Sequence, residues 1–154
     1  MEGPLEFSHP YILPELHESL MDAKVMVVSV IVKSQSAALD FYTNKVGFEK
    51  KTDYAPSSTY RYLTVGPKGQ DLELSLWQAG SKDPSGWSSL WEPGGGPPVV
   101  LRVEDCHKTF TELRSRGVEF KQAQPEEFPW GITATFSDPD GNRFSINQFR
   151  RAGP

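Results

Sequence analysis

The chain of 154 residues runs through the same order of elements twice, and this internal repeat constrains its fold more than any other feature. Each half contains a β-branched apolar strand, an amphipathic helix that ends at a glycine, and three further strands. Val32 and Val103 close the two first strands, 103 − 32 = 71 residues apart, and Gly47 and Gly117 end the two helices, 117 − 47 = 70 residues apart. The sequence therefore predicts an α+β fold of two βαβββ modules.

The repeat also predicts how the chain divides. Residues 1–22, rich in proline and histidine, are expected to be an extension outside the core. Residues 23–149 are expected to form one domain of two modules, 23–78 and 97–149, joined by a Gly/Pro-rich linker at 79–96. One helix cannot cover both faces of four strands. The two halves must therefore pair with each other or with a second chain.

Local signals place the ends of several elements. A short helix is predicted over Glu15–Met21 of the extension, and Ser34 or Ser36 can cap the first repeat helix. Asp105 is predicted to cap the second helix, and a strand is predicted to begin at Val118–Phe120.

Composition and charge argue against several classes of protein. The formal net charge is −4, so the chain lacks the basic field that grips nucleic acid. The longest apolar run, Val25–Val28, is far too short for a membrane span. The single cysteine, Cys106, suits a reducing compartment, and the first residues lack a signal-peptide pattern. These features predict a cytoplasmic protein with neither a membrane nor a nucleic acid as partner.

Strand alternation predicts which side chains share a face. In the segment Asp71–Trp77, the leucines form an apolar face that should lie under a helix, which leaves Glu73 and Trp77 on the other face. By the same alternation Arg102 faces that side from the fifth strand, and Ser145 and Asn147 face it from the eighth. Three further residues, whose orientation the pattern leaves open, add a polar edge: Tyr60, Arg61 and Tyr62.

Three sequence segments resemble a known superfamily. They are Ser36–Glu49, Leu113–Phe120 and Asp138–Asn142, within a resemblance that covers about residues 24–149. They are similar to the first helix, the second helix and the last turn of the glyoxalase, bleomycin-resistance and extradiol-dioxygenase proteins, the vicinal oxygen chelate superfamily. The resemblance implies an eight-stranded cup with helices outside and ligand inside. It implies no single activity, because the superfamily includes lyases, isomerases, dioxygenases and drug-binding proteins.

Metal enzymes of that superfamily hold their ion with two histidines and two glutamates on the first, fourth, fifth and eighth strands. The resemblance places these four positions at Val27, Glu73, Pro98 and Ser145. Only Glu73 matches, since valine and proline carry no donor atom and a serine hydroxyl is a poor ligand. We therefore expect no metal cofactor, and the preferred function is binding of a small organic molecule, such as a drug or metabolite, in the cup.

The main alternative is a glyoxalase-like lyase or isomerase in which Glu73 acts as general base. It needs an electrophile in place of the metal, and Arg102 is the candidate. Arg102 could instead clamp an anionic ligand or form a structural ion pair with Glu73. Trp77 and Trp130 could stack on a flat ligand or pack in the core.

Other residues carry competing interpretations. Cys106 is either a thiol with a lowered pKa at a helix start or a small packing residue, and the latter is preferred. His107 is expected to be a surface group. Trp87 and Trp91, in the linker, should cover the cavity mouth or close an interface. A homodimer is expected, since related proteins most often build two cups, each walled by both chains, and Trp87, Trp91 or residues 1–22 should contribute to it.

Overall fold

The structure is a computed structural model, and it describes residues 22–84 and 86–150. The helix expected over Glu15–Met21, and nearly all of the predicted extension, lie outside the described residues.

The first module contains one helical region and four strands. Strand β1 (Val27–Val32) is followed by helix α1 (Gln35–Asp40), which continues as a π-helical turn (Phe41–Val46). Ser34 caps α1 by accepting a hydrogen bond from the Ala37 amide, and Gly47 ends the turn with a φ of 87°. The remaining strands are β2 (Glu49–Ser57), β3 (Tyr60–Gly66) and β4 (Glu73–Gln78).

The second module repeats this order after a short 3-10 helix (Trp87–Ser89) in the linker region. Its elements are β5 (Val99–Arg102), α2 (Cys106–Ser115), β6 (Glu126–Phe128), β7 (Gly131–Ser137) and β8 (Arg143–Phe149). Asp105 caps α2 as predicted, since its carboxylate accepts a hydrogen bond from the Lys108 amide at 3.0 Å.

The prediction that a strand begins at Val118–Phe120 is wrong. Phe120 makes one isolated bridge to Phe136, and β6 starts only at Glu126. The side-chain oxygen of Gln122 accepts the hydrogen bond of the Thr135 amide at 2.8 Å. The Gln122 side chain therefore accepts a hydrogen bond that a backbone carbonyl of a neighbouring strand would otherwise accept. The backbone hydrogen bonding beside β7 is interrupted at this point.

Each module forms its own four-stranded mixed sheet. The strand orders are β1-β4-β3-β2 and β5-β8-β7-β6, and in each sheet the first strand is an edge strand that runs parallel to the fourth. The α+β class and the two βαβββ modules are therefore confirmed. In the register of β1, Val27 pairs with Glu73 and Ser29 pairs with Ser75.

The helix-covered sides of both sheets share one hydrophobic core. Leu74 and Leu76 of β4 lie in it as predicted, together with Phe110 of α2 and Phe144 of β8. Tyr42 joins the modules, because its buried ring lies 5.7 Å from that of Phe144. The opposite faces of the two sheets, which we call the open faces, therefore lie outside the core.

A buried polar network fixes the two modules to each other. The Tyr42 hydroxyl donates to Asp138 Oδ2 at 2.8 Å, and burial raises the pKa of Tyr42 far above its usual value. Asn142 Nδ2 donates both to Asp138 Oδ2 at 2.8 Å and to the Ile31 carbonyl at 2.9 Å. The Asp138–Gly141 turn is thereby held against the helical region and the end of β1 of the first module.

No helix among residues 22–84 and 86–150 is long and apolar enough to cross a membrane.

Candidate functional site

A cavity of about 300 Å³ opens on the open face of the first sheet. Aromatic side chains form most of its wall and two serines form part of its floor. The lining residues are Val27, Ser29, Tyr60, Tyr62, Ser75, Trp77, Pro84 and Trp87.

Trp77 is the central ring of this cavity. Tyr60 stacks nearly parallel to it at 6.2 Å between ring centroids, and Tyr62 meets it edge-on at 5.8 Å. Trp87 lies 6.5 Å away at a tilt of 39°. Tyr60 and Tyr62 are two residues apart on β3 and thus share a face, which settles the orientation that the sequence left open.

The intervening Arg61 carries its side chain away from this cavity lining. Its guanidinium donates to both carboxylate oxygens of Asp53, at 2.8 and 2.7 Å. These hydrogen bonds hold the pKa of Asp53 at about 2. Arg61 is therefore engaged by a carboxylate of its own sheet.

Hydrogen bonds fix the orientation of the Trp77 ring. The indole Nε1 donates to Ser29 Oγ at 3.1 Å, and Ser29 Oγ lies 3.1 Å from Ser75 Oγ. Trp77 is only 7% exposed, and because its indole N–H is satisfied from the floor, the ring lines the cavity without an unpaired donor.

Trp87 reaches the cavity from the linker region. Asp83 holds its backbone, since Oδ1 accepts from the Trp87 amide at 2.9 Å and Oδ2 accepts from the Ser88 amide at 3.1 Å. Trp87 is 45% exposed and lines the cavity, whereas Trp91 is 41% exposed and does not line it. Of the two linker tryptophans, Trp87 is the one at the cavity.

Glu73 shares the open face but lies outside the cavity lining. Its Oε1 accepts a hydrogen bond from Thr64 Oγ1 at 3.3 Å. Burial, and then the negative charge of Glu73, raises the pKa of Tyr62, so the phenol stays protonated at neutral pH and can donate a hydrogen bond.

The other predicted site residues lie on the second sheet. Arg102 pairs in register with Asn147, and Ser145 pairs with Val100. The Arg102 guanidinium lies 5.9 Å from the ring centroid of Phe149, and Asn147 Oδ1 accepts from Thr133 Oγ1 at 2.7 Å. Trp130 is half exposed rather than packed in the core.

Trp130 belongs to a cluster of three exposed aromatic rings at the end of this sheet. It stacks on Phe128 at 5.7 Å with an interplanar angle of 4°, and its ring lies 5.7 Å from that of Phe149. The second open face therefore offers aromatic surface as well as the guanidinium of Arg102.

The structure thus divides the predicted site into two sets. Glu73 and Trp77 lie on the first sheet, while Arg102, Trp130, Ser145 and Asn147 lie on or beside the second. The structural ion pair considered for Glu73 and Arg102 is not among the ion pairs of the described residues.

The residues at the metal positions implied by the superfamily do not fit a metal ion. Val27 lies beside Glu73 in register, and neither Val27 nor Pro98 has a donor atom. Within the described part of the chain, no group of three or more His, Cys, Asp and Glu side chains is placed to hold an ion.

Cys106 and His107 lie away from the cavity. Cys106 is fully buried and burial raises the pKa of its thiol, so the alternative of a lowered pKa is wrong. His107 is a surface group as expected, with Nε2 3.9 Å from Glu127 Oε1.

Comparison with known proteins identifies the family. A sequence model of the Glyoxalase/Bleomycin resistance protein/Dioxygenase superfamily matches residues 24–146. The chain belongs to this superfamily. The resemblance found in the sequence is therefore confirmed.

Several known proteins are similar over most of this chain. TnmS3, an antibiotic binding protein from Streptomyces sp. CB03234, is 35% identical with a TM-score of 0.70, over 86% of this chain and 100% of TnmS3. A superfamily member from Sphaerobacter thermophilus DSM 20745 is 36% identical with a TM-score of 0.70, over 84% of this chain and 99% of its own. The Bacillus subtilis (strain 168) protein YurT is 34% identical over 127 residues, 81% of this chain and 98% of YurT.

Proposed function

We propose that this protein binds a small, flat aromatic molecule at the open face of its first sheet and does not transform it. The observation that carries the proposal is the cavity walled by Tyr60, Tyr62, Trp77 and Trp87. Aromatic rings attract a flat ligand by stacking, which adds about 0.5–1.5 kcal/mol per ring pair beyond the area buried. The similarity to TnmS3, an antibiotic binding protein, supports an antibiotic-like ligand.

The polar groups of the cavity suit recognition of a neutral ligand edge. Ser29 and Ser75 present hydroxyls on the floor, and Tyr62 presents a protonated phenol. A few polar groups in a mainly apolar cavity are the usual way in which a binding site fixes the orientation of its ligand. At about 300 Å³, the cavity is at the small end of the usual range of roughly 300–1,000 Å³.

The lyase or isomerase alternative fits this geometry less well. It requires Arg102 to stabilise charge on a substrate from which Glu73 removes a proton. Arg102 is on the second sheet, and Glu73 is outside the lining of the aromatic cavity. We therefore keep ligand binding as the proposed function.

We further propose that two copies associate so that the first open face of one is covered by the second open face of the other. This arrangement would bring Arg102, Ser145, Asn147 and Trp130 to the mouth of the aromatic cavity. It would also complete an eight-stranded cup from two four-stranded sheets. Support comes from the exposed apolar side chains of the second open face, among them Val100, which is 58% exposed.

Light scattering at micromolar concentration tests this assembly. We expect a mass of about twice the 17.2 kDa of one chain. Replacing Val100 with Asp should shift the mass toward that of one chain, because a charge buried in an apolar interface is costly. Asp40 is exposed on the helical side of the first module, away from both open faces. The Asp40→Ala variant is therefore a control that should leave the mass unchanged. A wild-type mass near 17 kDa would refute the proposal.

The two linker tryptophans give a matched test of the binding site. Ligands are first selected from a panel of aromatic antibiotics by the increase in melting temperature that they cause, because binding to the native state stabilises it. Trp87→Ala should then weaken binding about 10-fold, corresponding to roughly 1.4 kcal/mol, since it removes one stacking wall. Trp91→Ala should change the dissociation constant less than about twofold, because Trp91 does not line the cavity.

Equal losses in the two variants, or no member of the panel that stabilises the protein, would contradict the proposed site. Glu73→Gln separates binding from catalysis. We expect it to retain binding, whereas an enzyme that uses Glu73 as base would lose turnover of an α-keto or thiol-adduct substrate.

A further inference from the structure

An apolar groove of about 420 Å³ lies at the junction of the two modules. Its walls include Leu72 and Leu74 of the first module, Val99 and Leu101 of β5, and Thr109 and Leu113 of α2. We call it the junction groove. It is distinct from the aromatic cavity, because the two share no lining residue.

The N-terminal part of the chain joins the domain beside this groove. The Met26 carbonyl accepts a hydrogen bond from the Glu73 amide at 2.9 Å, and Val27 pairs with Glu73 in the register of β1. Met26 is therefore next to Leu72, on the side of the sheet that carries Leu74. Met26 is 63% exposed and Leu72 is 37% exposed. Apolar surface thus extends from the groove to the point where residues 1–21 are attached.

Residues 1–21 contain apolar side chains that suit the apolar walls of the groove. Leu16 and Leu20 are spaced at i and i+4, on one face of the helix predicted over Glu15–Met21. Glu18 falls between them and Glu15 begins the helix. A short helix of this kind is stable only when its apolar face packs against another surface.

The charge of the same residues is compatible with the groove. Residues 1–21 contain four glutamates and neither lysine nor arginine, so they carry 4 of the 20 acidic groups of the chain and none of its 16 basic groups. The remainder is then balanced, 16 against 16, and the whole net charge of −4 belongs to this segment. Among the described residues that line the groove, Arg102 is the one that carries a charge, so no carboxylate of the lining repels the glutamates of the segment.

We propose that residues 1–21 dock in the junction groove of their own chain, with the side chains of Leu16 and Leu20 against its apolar walls. Leu20 is six residues before Met26 and can reach about 20 Å from it when the chain is extended. A segment tethered at this distance has an effective concentration in the millimolar range, so even weak apolar contacts suffice to hold it. The family match begins at residue 24, after this segment.

Cysteine labelling tests the docking in the full-length protein. Thr109 lines the groove, whereas His107 is exposed on the same helix, and the native Cys106 is buried. A maleimide should label Thr109→Cys at least about 10-fold more slowly in the otherwise native chain than in a chain that also carries Leu16→Ser and Leu20→Ser. His107→Cys should be labelled at the same rate in both backgrounds. His17→Ser with Ser19→Ala, which keeps the leucines, should preserve the protection.

Each other occupant of the groove gives a different result. Protection that survives Leu16→Ser with Leu20→Ser and rises with protein concentration means that a second copy fills the groove, and it overturns the proposal. Protection that survives both the substitutions and dilution means that neither the segment nor a second copy is responsible, and it also overturns it. Rates that agree within twofold in all backgrounds mean that the groove is open, and this result also overturns the proposal. If Thr109→Cys does not fold, the same comparison is made with Gln70→Cys, since Gln70 also lines the groove and is exposed on the first module.

Discussion

Replacing Asp138 with alanine is expected to destabilise the protein by about 3–5 kcal/mol, because several buried donors lose one acceptor. Asp138 Oδ2 accepts from Tyr42 and from Asn142 Nδ2, both at 2.8 Å, and Oδ1 accepts from the amides of Asp140 and Asn142, both at 2.9 Å. Tyr42 and Asn142 are buried, so water cannot replace the missing carboxylate. The midpoint of urea unfolding measures the loss.

Two variants show whether the loss comes from this network. Tyr42→Phe removes one hydroxyl while Asp138 keeps its other donors, so it should cost only about 1 kcal/mol. Asp40→Ala removes an exposed carboxylate that accepts from Asn44 at 2.6 Å, and it should change stability by no more than about 0.5 kcal/mol. An Asp138→Ala protein that unfolds within 1 kcal/mol of the wild type would show that the network does not hold the modules together.

Replacing Gly94 with alanine should cost about 2–4 kcal/mol and loosen the linker from the second module. Gly94 has a φ of 78°, and a Cβ at this position would overlap the backbone carbonyl oxygen of Asp140. A backbone atom cannot rotate away as a flexible side chain could. The substitution must therefore displace either the linker or the Asp138–Gly141 turn.

Gly96 provides the matched control two residues later in the same linker. A Cβ on Gly96 would meet nothing within 4 Å, so Gly96→Ala should leave the unfolding midpoint almost unchanged. Thermal unfolding of the two variants, followed by circular dichroism, makes the comparison. Equal stability of Gly94→Ala and Gly96→Ala would mean that the linker is not packed against Asp140.

The repeat and its local signals were sufficient to predict the fold class. The Asp105 cap, the glycine that ends the first helical region and the buried Leu74 and Leu76 follow from the sequence because each depends on neighbouring residues. For the first helix the sequence left Ser34 and Ser36 open, and the structure assigns the cap to Ser34. Alternation along a strand also predicted that Glu73 and Trp77 share a face. The prediction of a strand at Val118–Phe120 was wrong for a nonlocal reason. The side-chain oxygen of Gln122 accepts a hydrogen bond from the amide of Thr135, which is distant in the sequence.

The candidate site needed the tertiary structure. Alternation shows that Tyr60 and Tyr62 face the same way, but only their contacts with Trp77 show which way that is. The position of Trp87 in the cavity wall depends on its hydrogen bond to Asp83. Both residues lie in an irregular segment, where no hydrophobic periodicity predicts the direction of a side chain.

What the sequence determined by itself is therefore the order of the elements and the buried face of each. The tertiary structure alone decided how the modules meet, since Tyr42 and Asp138 are 96 residues apart. That arrangement puts Trp77 on one open face and Arg102 on another, which the pattern of either strand could not reveal. The physical reason is that periodicity sets the direction of a side chain relative to its own strand, whereas long-range packing sets the position of one sheet relative to the other.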